Sequence, residues 1–226
     1  MKVSIMVGIF ASLTLSLGGC SASPFQTLTI FDSPNRVVAL GVMPDAYGGK
    51  GFDHPASFTT EEMSRLLRGV RVQHGLLSST QHAAFSDTEI RWFAPHFVHG
   101  LQRATPEELV TFFETAEIET GEMGSDFQFT TSGGLYVAGG KFHVVLSNFS
   151  VKTPLWQDVE EYKTSVRNRP LEQLEAQPGR LVFAPREFMV TSPDGEIGSL
   201  LKGKPWQVAI RLNDFLETQD HVSGNQ

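Results

Sequence analysis

Residues 127–149 have the sequence FQFTTSGGLYVAGGKFHVVLSNF, and this stretch decides the class of fold. Three of its segments are rich in aromatic and β-branched residues, as is typical of β-strands: 127–131, 135–138 and 141–149. Gly139 and Gly140 supply a two-residue turn that tolerates positive φ. Ser132-Gly133-Gly134 is predicted to connect the first two segments with hairpin-like geometry. The stretch therefore predicts consecutive antiparallel strands.

Strand patterns also occur on both sides of this stretch. Continuous or alternating apolar residues predict further strands at 25–31, 36–42, 70–77, 181–190 and 206–212. Asp32-Ser33-Pro34-Asn35 is a strong turn signal between the first two of these strands. Strands are thus expected near both ends of the domain as well as at its centre.

Two capping boxes predict helices in the first half of the chain. Thr59 with Glu62, and Ser86 with Glu89, have the spacing that satisfies the first free N–H groups of a helix. In the second helix, apolar residues recur at helical spacing: Ile90, Phe93, Ala94, Phe97, Val98 and Leu101. Pro95 is expected to kink this helix.

Two further helices are predicted in the middle of the chain. Thr105-Pro106-Glu107-Glu108 has the composition of a helix start, with proline at the first helical position. Leu109, Phe112 and Phe113 would form the buried face of that helix. Thr153-Pro154 is expected to begin another helix.

The predicted helices lie between groups of strands and do not alternate with single strands. This order favours an α+β fold, a mostly antiparallel sheet with several short helices packed on it. We expect a single domain over residues 25–217 and a flexible tail over residues 218–226. Neither an internal repeat nor a low-complexity block interrupts the chain.

The first twenty residues have the composition of an export signal. Lys2 is followed by an apolar segment over residues 3–17, too short for a good membrane span, and then by small residues. The segment ends in Leu17-Gly18-Gly19-Cys20, which contains the chain's single cysteine. Residues 1–20 resemble the signal peptide and lipobox of bacterial lipoproteins.

This resemblance implies a location and a modification. Residues 1–19 would be a signal peptide removed before Cys20, and Cys20 would receive a diacylglyceryl thioether and an acylated amino group. Residues 20–24 would form a lipidated tether to the membrane. Ser21 lacks the acidic character that retains lipoproteins at the inner membrane. The expected location is therefore the outer membrane, on its periplasmic side.

Composition restricts the partners and the chemistry of the mature chain. The formal net charge is −7, and loss of Lys2 with the signal peptide would make it more negative. This charge disfavours nucleic acid, or an anionic lipid surface, as the main partner. With Cys20 lipidated, the domain would have no disulfide, thiol nucleophile or cysteine metal ligand. Core packing must hold it together.

The helix after Ser86 has a second stripe of side chains opposite its apolar face. Trp92, His96, His99 and Arg103 lie within roughly 60° of one another at about 100° per residue. Tryptophan and arginine are favoured at protein interfaces, and histidine would make the contact sensitive to pH. We predict an interaction surface here. The alternative is a helix buried on both sides within one domain.

Signals for metal binding and catalysis are weak. His96 and His99 could chelate a metal, but further ligands would have to come from His54, His74, His82 or His143. The serine-elbow motif Gly-x-Ser-x-Gly is absent, and paired glutamates lie near helix starts. We therefore predict no metal, no cofactor and no catalytic residue.

The preferred hypothesis is a non-enzymatic, lipid-anchored assembly, accessory or scaffold protein that binds another envelope protein. One alternative is a carrier of a hydrophobic ligand, which the 17 phenylalanines would suit. The other is an envelope hydrolase acting on cell wall or lipid. In that enzyme, histidines would converge with an acid such as Asp45, Asp53 or Asp87.

Overall fold

The computed structural model describes residues 26–42, 51–74, 80–120, 126–154, 166–190 and 206–223. The strands are β1 (Gln26–Ser33), β2 (Arg36–Val42), β3 (Val70–His74), β4 (Gln81–Ala83), β5 (Glu108–Thr120), β6 (Asp126–Ala138), β7 (Lys141–Pro154), β8 (Gly179–Phe183), β9 (Met189–Val190) and β10 (Trp206–Arg211). The helices are α1 (Thr60–Gly69), α2 (Asp87–Arg103) and α3 (Leu212–Ser223), and a 3₁₀ turn spans Arg186–Phe188.

The strands form two sheets in which every pairing is antiparallel. The large sheet has the order β1-β2-β5-β6-β7-β10-β9, and the small sheet has the order β4-β3-β8. The long strands β5, β6 and β7 are consecutive and form the middle of the large sheet. The prediction of an α+β fold with a mostly antiparallel sheet is confirmed.

The strands of the large sheet run between two ends. At the first, called the Gln26 end, Gln26 pairs with Gly41 and Gly41 with Leu109. At the second, called the Arg36 end, Ser33 pairs with Arg36 and Arg36 pairs with Glu114.

Helix α2 packs on one face of the large sheet, and α1 packs against α2 and β3. Both begin with the predicted capping boxes, at Thr59 and at Ser86, and α2 continues as a helix through Pro95. Phe93 and Phe97 stack with their ring centroids 5.0 Å apart, and each centroid lies 5.4 Å from that of Phe112 on β5. This apolar layer is the main core of the domain.

The segment over residues 166–178 lies on the opposite face of the large sheet. Asn148 of β7 holds it, donating to the Ser132 hydroxyl and to the Glu172 carbonyl, both at 2.8 Å. The side-chain oxygen Oδ1 of Asn148 accepts from the Leu174 N–H at 2.9 Å. Val166 packs against Phe113 and neighbouring residues of β2. Both faces of the sheet are therefore buried near its centre.

The predicted helix after Thr105 is wrong, because this part of the chain forms β5. Glu108 does accept from the Thr105 N–H at 2.9 Å, as a capping residue would. The chain then pairs with β2 on one side and with β6 on the other. Leu109 and Phe112 pack into different clusters, on opposite faces of the sheet. A strand buried on both faces has apolar residues close together, as a helix does.

Other boundaries also differ from the sequence predictions. The predicted break at Ser132-Gly133-Gly134 is wrong, because β6 continues through it. A Cβ at Gly133 would lie 2.0 Å from the Val145 carbonyl oxygen, so the glycine permits a close approach of two strands. The prediction that a helix begins at Thr153 is wrong, because Thr153 and Pro154 are the last residues of strand β7. The rest of that predicted helix, over residues 155–165, lies outside the described residues.

The last predicted strands are shorter than expected. The predicted strand over residues 181–190 is divided into β8 and β9, with the 3₁₀ turn between them. Strand β10 ends at Arg211, and α3 continues past residue 217 to Ser223. Within the described ranges, none of the helices has the length and apolar character needed to cross a bilayer.

The Gly139-Gly140 turn is confirmed. Both residues have positive φ, at 58° and 68°, and they connect β6 to β7 at the Gln26 end. This is the conformation in which glycine has the advantage over other residues.

Candidate functional site

The predicted stripe on α2 divides into two parts. Trp92 and His96 are partly buried against the edge of the large sheet, while His99 and Arg103 are exposed. The helix begins beside Glu114 at the Arg36 end, and it ends next to the turn that leads into Glu108 at the Gln26 end. The stripe therefore runs along the edge of the sheet from one end to the other.

Phe31 of β1 contacts the partly buried half of the stripe. Its ring centroid lies 4.9 Å from that of Trp92, nearly perpendicular at 84°, and 4.9 Å from that of His96. The Trp92 and His96 centroids are 4.7 Å apart. The Arg36 guanidinium lies 4.9 Å from the centre of the Trp92 ring, within the range of a cation–π contact. Two of the four predicted residues thus serve internal packing.

Glu114 of β5 completes this group, which we call the Trp92 cluster (Phe31, Arg36, Glu89, Trp92, His96 and Glu114). Its Oε1 accepts from Arg36 Nε at 2.6 Å and lies 2.5 Å from Nη2. Burial raises the pKa of the Glu114 carboxyl to about 7, and nearby Glu89 adds to the rise, while Arg36 opposes it. The cluster therefore holds a carboxyl group that titrates near neutral pH.

Beyond its first turn, α2 carries basic residues and no acidic ones. From Ile90 to Arg103 the helix contains two arginines and two histidines but no acidic residue, in a chain of net charge −7. The pKa of His96 is lowered by its burial and by the proximity of His99. His99 and Arg103 present their side chains to solvent.

A second polar group, the His143 cluster (Phe52, His54, Tyr136, His143 and Gln207), lies at the Gln26 end. The rings of Tyr136 and His143 stack at 4.6 Å between centroids with only 7° between their planes. Gln207 Nε2 donates to the Tyr136 hydroxyl at 2.7 Å and lies 3.0 Å from His143 Nδ1. Burial lowers the pKa of His143 to about 4, so its ring is neutral at pH 7.

His54 fastens residues 51–56 to the same end of the sheet. Its Nδ1 donates to the Glu108 carbonyl at 2.7 Å, and its Nε2 accepts from the Val137 N–H at 3.0 Å. One ring nitrogen donates and the other accepts, so the His54 ring is neutral. Burial lowers the pKa of His54, which favours this neutral form. Phe52 next to it packs on Tyr136, with 4.5 Å between ring centroids.

Glu108 is held as a carboxylate beside His54. It accepts from the Thr105 N–H and from the Thr27 hydroxyl. Burial opposes ionisation, but these hydrogen bonds outweigh it and lower the pKa of Glu108. The group connects β1, β5 and the end of α2.

The sequence patterns did not predict that these residues come together in two clusters. Two partial signals were present. His143 lies in a strand of alternating pattern, and Trp92 and His96 are spaced to lie on the same side of a helix. Residues such as Phe31 and Gln207 carry no sequence signal of their own. Their partners lie 61 or more positions away in the chain, and only the fold brings them together.

The histidines considered as metal ligands lie at separate places. His54 and His143 belong to the His143 cluster, whereas His74 and His82 are neighbours in the small sheet, 5.8 Å apart between ring centroids. Among the residues that the structure describes, no group of three or more His, Cys, Asp or Glu side chains could hold a metal.

The acids considered for hydrolysis have structural contacts. Asp53 accepts from the Gly140 N–H at 3.0 Å, and Asp87 lies 3.5 Å from Arg68 Nε. Asp45 and the proposed lipidation site Cys20 lie outside the described residues.

Comparisons with known proteins give no further assignment. The chain matches no protein-family model, no curated protein and no solved structure at a significant level.

Proposed function

We propose that this protein is a lipid-anchored lipoprotein of the outer membrane, facing the periplasm, which acts as a non-enzymatic assembly, accessory or scaffold protein. In this proposal it binds another envelope protein through the exposed half of α2. One observation carries the binding site: His99 and Arg103 are exposed on an acid-free helix face, next to the partly buried Trp92 and His96.

The charge of this face indicates the chemistry of the partner. Arg103 and His99 lie on a helix without acidic residues after its first turn, while the whole chain is acidic. An acidic patch on the partner would be attracted here and repelled by most of the remaining surface. Aromatic rings already fixed in place by Phe31 and Arg36 lose little side-chain entropy on binding.

The proposed anchor follows from the resemblance of residues 1–20 to lipoprotein signals. Each buried methylene contributes about 0.8 kcal/mol to membrane binding, and two lipid chains already suffice for stable anchoring. The acyl groups on Cys20 would hold the domain at a bilayer without a spanning helix.

The binding proposal is tested by cross-linking and pull-down from membranes of the native host. The variant His99→Ala/Arg103→Ala removes the exposed half of the stripe. The variant His82→Ala/Arg169→Ala is a matched control, since it removes one exposed histidine and one exposed arginine elsewhere. We expect the first variant to lose a cross-linked protein that the wild type and the control retain.

Exposed substitutions of this kind change stability by about 0.5 kcal/mol or less, so both variants should fold. Equal thermal unfolding curves would verify this. If both variants retain the same cross-linked proteins as the wild type, α2 is not the binding surface.

A further inference from the structure

We propose that the Gln26 end of the large sheet faces the bilayer and that the Arg36 end points away from it. The inference rests on the proposed lipid attachment at Cys20. It adds an orientation to that proposal, and with it the direction from which a partner must approach α2.

The length of the tether limits how far the Gln26 end can move from the membrane. Strand β1 begins at Gln26, six positions after Cys20. Even a fully extended chain advances only about 3.6 Å per residue, so Gln26 stays within about 22 Å of the lipidated residue.

The register of the sheet places other elements at this same end. Gln26 pairs with Gly41, and Gly41 with Leu109, near the start of β5. Farther across the sheet, His143 pairs with both Tyr136 and Ala209, next to the Gly139-Gly140 turn. The turn between α2 and β5 lies here too, because Glu108 contacts both Thr105 and Thr27.

The opposite ends of the central strands are beyond the reach of the tether. From Leu109 to Thr120, β5 advances eleven residues, or about 37 Å at 3.4 Å per residue. This distance exceeds the longest extent of the tether. An inverted domain, with the far ends of β5 and β6 on the lipid, would therefore require a longer chain between Cys20 and Gln26.

A domain attached at one end is also excluded from the volume of the bilayer itself. Its free end therefore lies, on average, farther from the lipid than its attached end. Lying flat would need an attractive face, and the basic side of α2 is a described surface that could supply one, but the net charge of −7 opposes adsorption of the whole domain to an anionic surface. Upright orientations are favoured.

This orientation fixes the direction of α2. Arg103 lies toward the bilayer, and Trp92, eleven residues earlier, lies up to about 17 Å farther out at 1.5 Å per residue. The exposed half of the proposed binding surface is thus its membrane-proximal half. A partner that contacts His99 and Arg103 must itself lie close to the membrane.

Energy transfer to labelled lipid tests the orientation. Lipid-modified Cys20 has no free thiol, so an introduced cysteine is the only site for a maleimide donor. Glu107→Cys places the donor at the Gln26 end, and Asn35→Cys places it in the β1–β2 turn at the Arg36 end. Both residues are exposed. The full-length lipoproteins are inserted into phosphatidylethanolamine–phosphatidylglycerol vesicles that carry an acceptor lipid.

We expect stronger transfer from Glu107→Cys, with an average separation between the two labels of about 20 Å along the membrane normal. Equal transfer from both positions, as from a domain lying flat, would overturn the orientation, and so would stronger transfer from Asn35→Cys.

Failure of the anchor itself is measured separately, by fatty-acid labelling and vesicle flotation of the same preparations. Wild-type protein that neither incorporates label nor floats refutes the proposed function. A labelled, floating protein with equal transfer refutes only the orientation. Cys20→Ser is the control that should neither incorporate label nor float.

Discussion

The two ends of the large sheet bury different titratable groups: the Gln26 end holds two neutral histidines and the carboxylate of Glu108, and the Arg36 end holds a carboxyl group with a pKa of about 7. At the Gln26 end, His54 and His143 are neutral rings whose nitrogens contact backbone groups or Gln207. At the Arg36 end, Glu114 is buried against the charged guanidinium of Arg36, whose side chain remains 30% exposed.

The difference follows from what covers each end. Residues 51–56 pack onto the Gln26 end and hydrogen-bond to it, which excludes water from the rings. The Arg36 end lies under Trp92 and Phe31, which cover it only in part. A buried group is neutral unless hydrogen bonds or a countercharge stabilise its ionised form: burial outweighs such contacts at the two rings, whereas the Thr27 hydroxyl and the Thr105 N–H keep Glu108 ionised. The Gln26 end is therefore expected to lose stability as the pH falls below 6.5, and the Arg36 end as the pH rises above 4.5.

The largest expected effect tests the packing difference between the two ends. Tyr136→Ala removes a ring that is 7% exposed, and it should lower the free energy of unfolding by about 3–4 kcal/mol. Trp92→Ala removes a ring that is already partly exposed, so we expect about half that loss. Urea denaturation of both variants measures the difference. An equal loss from both would mean that the two ends are packed equally tightly.

The next effect concerns the pH dependence contributed by His143. Its folded pKa of about 4 lies below the unfolded value of 6.5, so the unfolded chain binds the proton more readily. Stability is therefore complete above pH 6.5 and decreases as the pH falls toward 4, by about 3 kcal/mol at 1.4 kcal/mol per pKa unit. His143→Gln should show a weaker acid destabilisation than wild type in denaturation at pH 4.5 and 7. His82→Gln, at an exposed position, is the control and should behave as wild type does.

The smallest of the three effects has the opposite sign. The folded pKa of Glu114, about 7, lies above the unfolded value of 4.5, so the folded chain binds the proton more readily. This residue therefore lowers stability as the pH rises from 4.5 to 7, by about 2 kcal/mol after allowance for solvent screening around its partly exposed partner Arg36.

Glu114→Gln should remove that decline, and Glu107→Gln, on an exposed turn, should not. Comparison of each variant with wild type at pH 5 and pH 8 separates this contribution from that of the histidines. If Glu114→Gln leaves the pH profile unchanged, the two ends do not differ in the way described.

Local sequence patterns predicted some elements well and others poorly, for a physical reason. The capping boxes at Thr59 and Ser86 and the Gly139-Gly140 turn depend on neighbouring residues, and all three are present. The segment after Thr105 has equally good helix signals. It forms β5 instead, because pairing with β2 and β6 satisfies its backbone and both of its faces are buried.

The predicted surface on α2 shows the same limit. Helical periodicity identified one face of α2 as apolar, and it predicted the opposite stripe as a surface. Phe31 and Arg36, more than fifty residues earlier, cover Trp92 and His96. The spacing of residues within a helix contains no information about which distant strand packs beside it.

By itself, the sequence determined the α+β class and the antiparallel hairpin at residues 139–140, and the lipoprotein resemblance around Cys20 stays a prediction. These depend on composition and on contacts between neighbours in the chain. Only the tertiary structure decided that β5 is a strand, which half of the α2 stripe is exposed, and which titratable groups are buried. Burial and pKa depend on desolvation by segments far away in the chain, and those segments meet only when the whole sheet has formed.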